Sequence, residues 1–190
     1  MGLPLIYVLT QLALLLTGQS NNLGADPGEE LMSLLGLFAL WSLLITLAVT
    51  PIRTLFPRLT PLVRSRRMMG LWVMAYAVLH LLAYWVFVLG LDLGILWSDI
   101  SQKPYAIAGA LAFLGLVPLA ITSTRGWQRS LGRRWKRLHR LSYPVLAVAW
   151  IHFVWQVRVD YTEALLYLAL TALLLLYRTP VRRFFQFSSH

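Results

Sequence analysis

Long apolar runs separated by short polar connections dominate the chain, at about residues 3–17, 31–50, 68–90, 104–121, 141–157 and 161–178. Most approach the roughly 20 residues that a helix needs to cross a hydrocarbon layer about 30 Å thick. None alternates with the two-residue period of a barrel strand, and backbone amides in lipid must be paired within their own segment. The pattern predicts an all-α integral membrane protein, a six-helix bundle forming a single transmembrane domain over residues 1–190. The first run is short and carries Gln11. No Lys or Arg precedes it and GQSNN (18–22) offers no small-x-small cleavage site, so it is expected to be a retained helix rather than a signal peptide.

Charge then orients the runs. Residues 51–69 hold five arginines, residues 122–140 hold seven Lys or Arg, and the tail from Tyr177 holds three, which together are fifteen of the seventeen basic residues. The seven acids, Asp26, Glu29, Glu30, Asp92, Asp99, Asp160 and Glu163, fall in the alternate connections or at their borders, where the only bases are Lys103 and Arg158. The positive-inside rule predicts both termini and the two arginine-rich loops in the cytoplasm. The net charge of +10 is then a topology signal with anionic headgroups as neighbours, and nucleic acid has no support as a partner.

Composition agrees, with 58% hydrophobic residues and a mean hydropathy of +0.67, far from a soluble domain. Cysteine is absent, which excludes thiolate-held iron–sulfur clusters, covalent CxxCH haem attachment and cysteine redox relays. There is no Gly-rich phosphate loop, no HExxH and no EF-hand pattern, and paired interior carboxylates for general acid–base hydrolysis are missing too.

What the interior does hold is histidine. His80 lies twelve residues after its run opens at Met68, and His152 lies eleven residues after its run opens at Leu141. Both segments leave the cytoplasm in the same direction, so at about 1.5 Å per residue both imidazoles lie roughly 17 Å from that border. Matched depth on separate helices is what one iron with two axial ligands needs, and bundle cores are ordinary places for a porphyrin. The plain alternative is a polar contact between helices, an imidazole bonding a hydroxyl or a backbone carbonyl. The nearby aromatics Trp72, Tyr76, Tyr84, Trp85, Trp150, Phe153 and Trp155 suit either a porphyrin wall or interface belts and packing.

His139 precedes His152 by thirteen residues. On one ideal helix the two are about 20 Å apart along the axis and about 140° apart around it, so a shared face requires a distortion, for which Pro144 offers a cause, or a position in the cap ahead of the helix. At the matching depth on the His80 helix stand Arg66 and Arg67, cations suited to haem propionates or a flavin phosphate. His139 therefore has two readings, a ligand of a second metal near the cytoplasmic face or a border residue of a basic cluster.

These residues also carry a family resemblance. LGADP (23–27), LLITLAVTP (43–51), RSRRMMGLWVMAYAVLH (64–80), KPY (103–105), LAITSTRGWQRSLGRRWKRLHRLSY (119–143) and IHFVW (151–155) together resemble the MsrQ (formerly YedZ) family of the ferric-reductase-like transmembrane superfamily, over nearly the whole chain. The combination of TST, LGxRWxxLHRLxY and IHxxW at these spacings is the specific part. The resemblance implies a six-helix carrier of haem b, one or two per chain, in the bacterial inner membrane, with FMN as a further cofactor. It implies electrons taken from quinone or from a cytoplasmic flavin reductase and passed outward to the periplasmic molybdopterin subunit MsrP, which reduces methionine sulfoxide in oxidised proteins. His80, His139 and His152 fall on the family's three histidine positions. Where the family pattern has a histidine followed three residues on by glycine, this chain has Ser33 and Gly36, so that histidine's role does not carry over.

The expected protein is thus an electron-transfer subunit with no substrate-reducing site of its own. Bis-imidazole ligation leaves no open iron position for oxygen. The rivals are a ferric-reductase-like carrier serving another acceptor and, from a different class, a small transporter or assembly factor whose histidines relay protons.

Overall fold

The computed structural model describes residues 2–20, 22–59, 61–157 and 161–178. Arg158, Asp160, Arg182, Arg183 and His190 lie outside the described residues. The helices are α1 (Gly2–Leu16), α2 (Pro27–Leu55), α3 (Leu62–Ala83), α4 (Leu93–Gln102), α5 (Pro104–Ile121), α6 (Arg125–Leu131), α7 (Arg133–Leu138), α8 (Ser142–Val154) and α9 (Thr162–Arg178). Among the described residues there is no strand.

Local chemistry sets the starts. The Asp26 carboxylate accepts from the amides of Gly28 and Glu29 at 3.1 Å, and Pro27 takes the first helical position, so α2 begins before its apolar run does. Asp92 caps α4 in the same way, accepting from Gly94 at 2.7 Å and Ile95 at 3.0 Å. Thr124 caps α6 through the Trp127 amide, and Gly132, at φ +49°, makes the corner between α6 and α7. The basic connection 122–140 is thus helical in two short pieces, which polar sequence hid from a hydropathy reading. Beyond Ala83 the α3 helix widens into a π-helical turn, Tyr84–Val88, and ends at Gly90 and Leu91, both with positive φ.

Two helix pairs make the centre of the bundle, α2 against α3 and α5 against α8. Helix α4 folds back on the start of α5, α1 lies on α2, and α9 covers α8 and α2. One core cluster joins Leu43, Leu47, Val73, Leu116, Val145 and Leu146, and a second surrounds Tyr76 with Val8, Leu31 and Leu35. The outside is as apolar as the inside, since Leu111, Leu114, Leu166 and Leu173 are 58% to 64% exposed. That surface belongs in lipid, and helices α2, α3 with its π turn, and α5 are each long and apolar enough to cross a membrane, while α1 and α9 are shorter apolar helices.

With lipid tails as apolar as leucine, association depends on close fit and on interhelical polar contacts. Trp41 Nε1 on α2 donates to the Tyr167 hydroxyl on α9 at 2.7 Å, and Trp150 Nε1 on α8 donates to the Ala164 carbonyl at 3.1 Å. Gly115 on α5 is the tightest approach, because a Cβ there would stand 2.5 Å from Val145 Cγ2 on α8. Gly115→Ala is expected to lower stability by about 1–3 kcal/mol through overpacking. Gly70→Ala, with nothing within 4 Å of the new Cβ, should be neutral or gain up to about 1 kcal/mol of helix propensity. Thermal unfolding in detergent checks the pair, and equal midpoints for both variants would contradict the packing.

Candidate functional site

His80 projects from α3 and His152 from α8, and their rings meet where the two helix pairs face each other. The ring centroids are 6.1 Å apart with the planes 79° to one another. Each imidazole is held by the same device. His80 Nδ1 is 2.8 Å from the Met32 carbonyl on α2, and a Cβ on Gly36, one helical turn later, would stand 2.9 Å from that nitrogen. His152 Nδ1 is 2.7 Å from the Tyr105 carbonyl on α5, and a Cβ on Gly109, again one turn later, would stand 2.8 Å from Cε1.

The chemistry of this device follows from the inventory of a neutral imidazole, which has one N–H donor and one lone pair. A carbonyl is acceptor-only, so Nδ1 carries the proton in both rings and Nε2 presents the lone pair. At His152 the exposed Gln156 amide, 3.0 Å from Nε2, donates to that lone pair. As a neutral imidazole, each ring is therefore oriented, with Nδ1 as donor and Nε2 as the lone-pair atom. Among the described residues no group of three or more His, Asp or Glu gathers.

His139 lies elsewhere, in a single 3₁₀ turn (His139–Leu141) between α7 and α8. The break in the helix removes the constraint of a continuous 13-residue helical path to His152. Its ring stacks on Trp135 at 3.9 Å, and its Nδ1 is 3.2 Å from the Trp135 carbonyl. Trp135 is itself fixed by Nε1 donating to the Thr122 carbonyl at 2.8 Å. Nε2 of His139 is buried without a hydrogen-bond partner. Burial pushes the imidazole below its ordinary range, against the opposing pull of the Trp135 and Leu119 backbones, and the nearby Arg66 charge pushes the same way as burial. Arg66 reaches this corner from α3 and donates to Thr50 Oγ1 on α2 at 2.8 Å. Arg67, the next residue, is exposed. His139 and Arg66 thus come together at the arginine-rich end, apart from the His80–His152 pair.

The carbonyls of Met32 and Tyr105 and the glycines Gly36 and Gly109 escape a reading of side-chain chemistry. No residue type announces them, because each acceptor is a main-chain carbonyl one turn before a glycine in an otherwise ordinary apolar helix. The aromatics divide among packing roles. Trp72, Tyr76 and Phe38 cluster with one another, Phe153 meets Tyr167 edge-on, and Trp155 is 55% exposed.

Comparison with known proteins fits this arrangement. Residues 31–150 match the family described as ferric reductase like transmembrane component. A protein of Xanthomonas campestris pv. campestris (strain B100), named protein-methionine-sulfoxide reductase heme-binding subunit MsrQ, is 49% identical over 163 residues, covering 84% of this chain and 72% of that protein. The chain belongs to the MsrQ family of ferric-reductase-like transmembrane proteins. No solved structure matches it.

Within the MsrQ fold seen here, His80, His139, Gly36 and Gly109 fall inside the matched segment and His152 lies two residues past its end. Gly109→Ala should force the His152 ring off the Tyr105 carbonyl. Proton NMR of detergent-solubilised protein is expected to lose the hydrogen-bonded Nδ1–H resonance of His152 in that variant and keep it in Gly70→Ala. Retention in Gly109→Ala would remove glycine from the role of seating the His152 ring.

Proposed function

We propose that this protein is a haem b electron-transfer subunit of a methionine sulfoxide reductase system, seated in a bacterial inner membrane with six crossings and both termini cytoplasmic. His80 and His152 are the residues that would hold its haem iron. The observation that carries this reading is the meeting of two neutral imidazoles, one from each helix pair, at a centroid distance of 6.1 Å. Two imidazoles this close, each with Nδ1 committed to a backbone carbonyl, form a pair of nitrogen donors that would hold a metal. The residues present therefore suit a metal between them, and the Nδ1 contacts to Met32 and Tyr105 supply the orienting hydrogen bond such ligands ordinarily have. The name carried by the relative, a haem-binding subunit of protein-methionine-sulfoxide reductase, supports the same assignment.

When bound, haem would supply one-electron transfer. The chain's own residues do the rest. Gly36 and Gly109 leave room for the rings, and the two helix pairs hold the imidazoles at a fixed separation. Arg66 and Arg67 neutralise propionates or an FMN phosphate at the cytoplasmic end. His139, with Nε2 unpartnered and its pKa depressed, is the ligand available for a second haem there. The basic connection 122–140 attracts an anionic flavin or a cytoplasmic flavin reductase, with quinone from the bilayer as the other donor. Electrons leave through the outer connections to a periplasmic MsrP-like molybdopterin subunit.

Oxidised and reduced absorbance spectra of detergent-purified protein with quantified haem test the assignment. Wild type should show a low-spin b-type spectrum. His80→Ala and His152→Ala should each lose the shared haem, and His139→Ala should lose about half of the total if a second centre exists. A colourless preparation from haem-replete cells sinks the reading. Reoxidation of the reduced protein by purified MsrP checks the acceptor, and its failure would leave a carrier serving another one.

A further inference from the structure

Among the described residues, Asp99 is the one buried acidic side chain, 4% exposed on the amphipathic helix α4. Its neighbours on that helix face outward, with Leu93, Ile95 and Trp97 exposed at 64%, 46% and 74%. Burying a carboxylate is costly unless it is paired and hydrogen-bonded. Here both conditions are met. Lys103 Nζ lies 2.7 Å from Oδ2, and the Tyr84 hydroxyl donates to the same oxygen in a short bond. The Tyr105 side chain lies against both Tyr84 and Lys103.

The two partners of Asp99 belong to the two ligand helix pairs. Tyr84 opens the π-helical turn after α3, and its backbone N–H bonds the carbonyl of His80. Lys103 is the residue from which α5 starts, two residues before Tyr105, whose carbonyl holds His152 Nδ1 at 2.7 Å. One carboxylate oxygen thus joins a residue one turn beyond the first imidazole to the helix start that positions the second. The hydrogen bonds from Lys103 and then Tyr84 hold the Asp99 carboxyl below the usual carboxylate range, and the bond to Asp99 raises Lys103 above the usual lysine range. Both stay ionised throughout the neutral region, so the tie is permanent.

We propose that Tyr84, Asp99 and Lys103 are positioning residues for the metal-binding imidazoles: the Asp99 bridge fixes the spacing and mutual angle of His80 and His152 and thereby sets the potential of the iron they hold. The proposal rests on the haem reading above. The bridge touches neither ring, and it acts through the His80 carbonyl on one side and the Tyr105 carbonyl on the other. Ligand angle and the strength of the Nδ1 hydrogen bond are the levers by which a protein tunes a bis-imidazole centre.

Tyr84→Phe, Asp99→Asn and Lys103→Gln, purified as haem-loaded protein, are measured for haem content, midpoint potential and low-spin EPR g values, with Lys103→Arg as the conservative variant and Trp97→Ala as a control on the same helix. The expected result is retained haem with a shifted potential and altered g values in the first three, recovery toward wild type in Lys103→Arg, and no change in Trp97→Ala. Wild-type potential and g values in Tyr84→Phe and Lys103→Gln overturn the proposal, as does an equal shift in Trp97→Ala. If Asp99→Asn fails to accumulate, Tyr84→Phe decides, since it removes a single oxygen. If wild type itself holds no haem, the haem reading has failed. The bridge is then judged by the Nδ1–H resonances of His80 and His152, which should move in Tyr84→Phe and stay in place if the bridge positions nothing.

Discussion

An imidazole inside hydrocarbon must place its N–H on an acceptor, and the centre of this bundle is organised around meeting that demand twice. Met32 and Tyr105 contribute backbone carbonyls, although helical carbonyls are normally committed to amides four residues on. A carbonyl has a second lone pair, and a glycine one turn later opens the helix surface enough for a ring to reach it. From this the rest follows: α2 must approach α3 closely, α5 must approach α8, and the two pairs must present their rings to one another. Fixing Nδ1 as the donor turns Nε2 into the lone-pair atom, free of a carbonyl at His80 and met by the exposed Gln156 amide at His152.

Depth matching along parallel segments was enough to bring His80 and His152 together on paper, because both hydropathy and helix rise are one-dimensional quantities. Rotation about the helix axis is not, and that is where sequence was silent. Nothing in the apolar run 104–121 distinguishes Gly109, which lies under a ring, from Gly115, which packs on Val145. The acceptors are main-chain atoms, which no residue type announces. His139 shows the opposite difficulty. Its angular offset from His152 assumed one continuous helix, whereas a 3₁₀ turn intervenes and lets Trp135 pin the ring independently. Asp99 was read as a border acid marking the outer face, and its burial depends on Tyr84 from a turn of unusual pitch, a contact that charge counting does not supply.

The two ends of the bundle differ in kind. At the arginine-rich end the polar groups are exposed or half-buried, and His139 keeps an unpartnered nitrogen beside Arg66. At the opposite end one buried acid, Asp99, is taken by Lys103 and Tyr84.

The π-helical turn has a consequence for phase. A π turn accommodates an additional residue relative to the α period, so side chains beyond Tyr84 are no longer in angular step with those before it. Up to Ala83 the helix points His80 at the seam with α2. After the reset, Tyr84 meets Asp99 while Phe87 settles on Gly28 near the mouth of α2. A helix of uniform pitch would have to choose one azimuth for both tasks. The wide turn acts as a rotary joint, so the azimuth of His80 and the azimuth of Tyr84 vary independently along a single continuous rod.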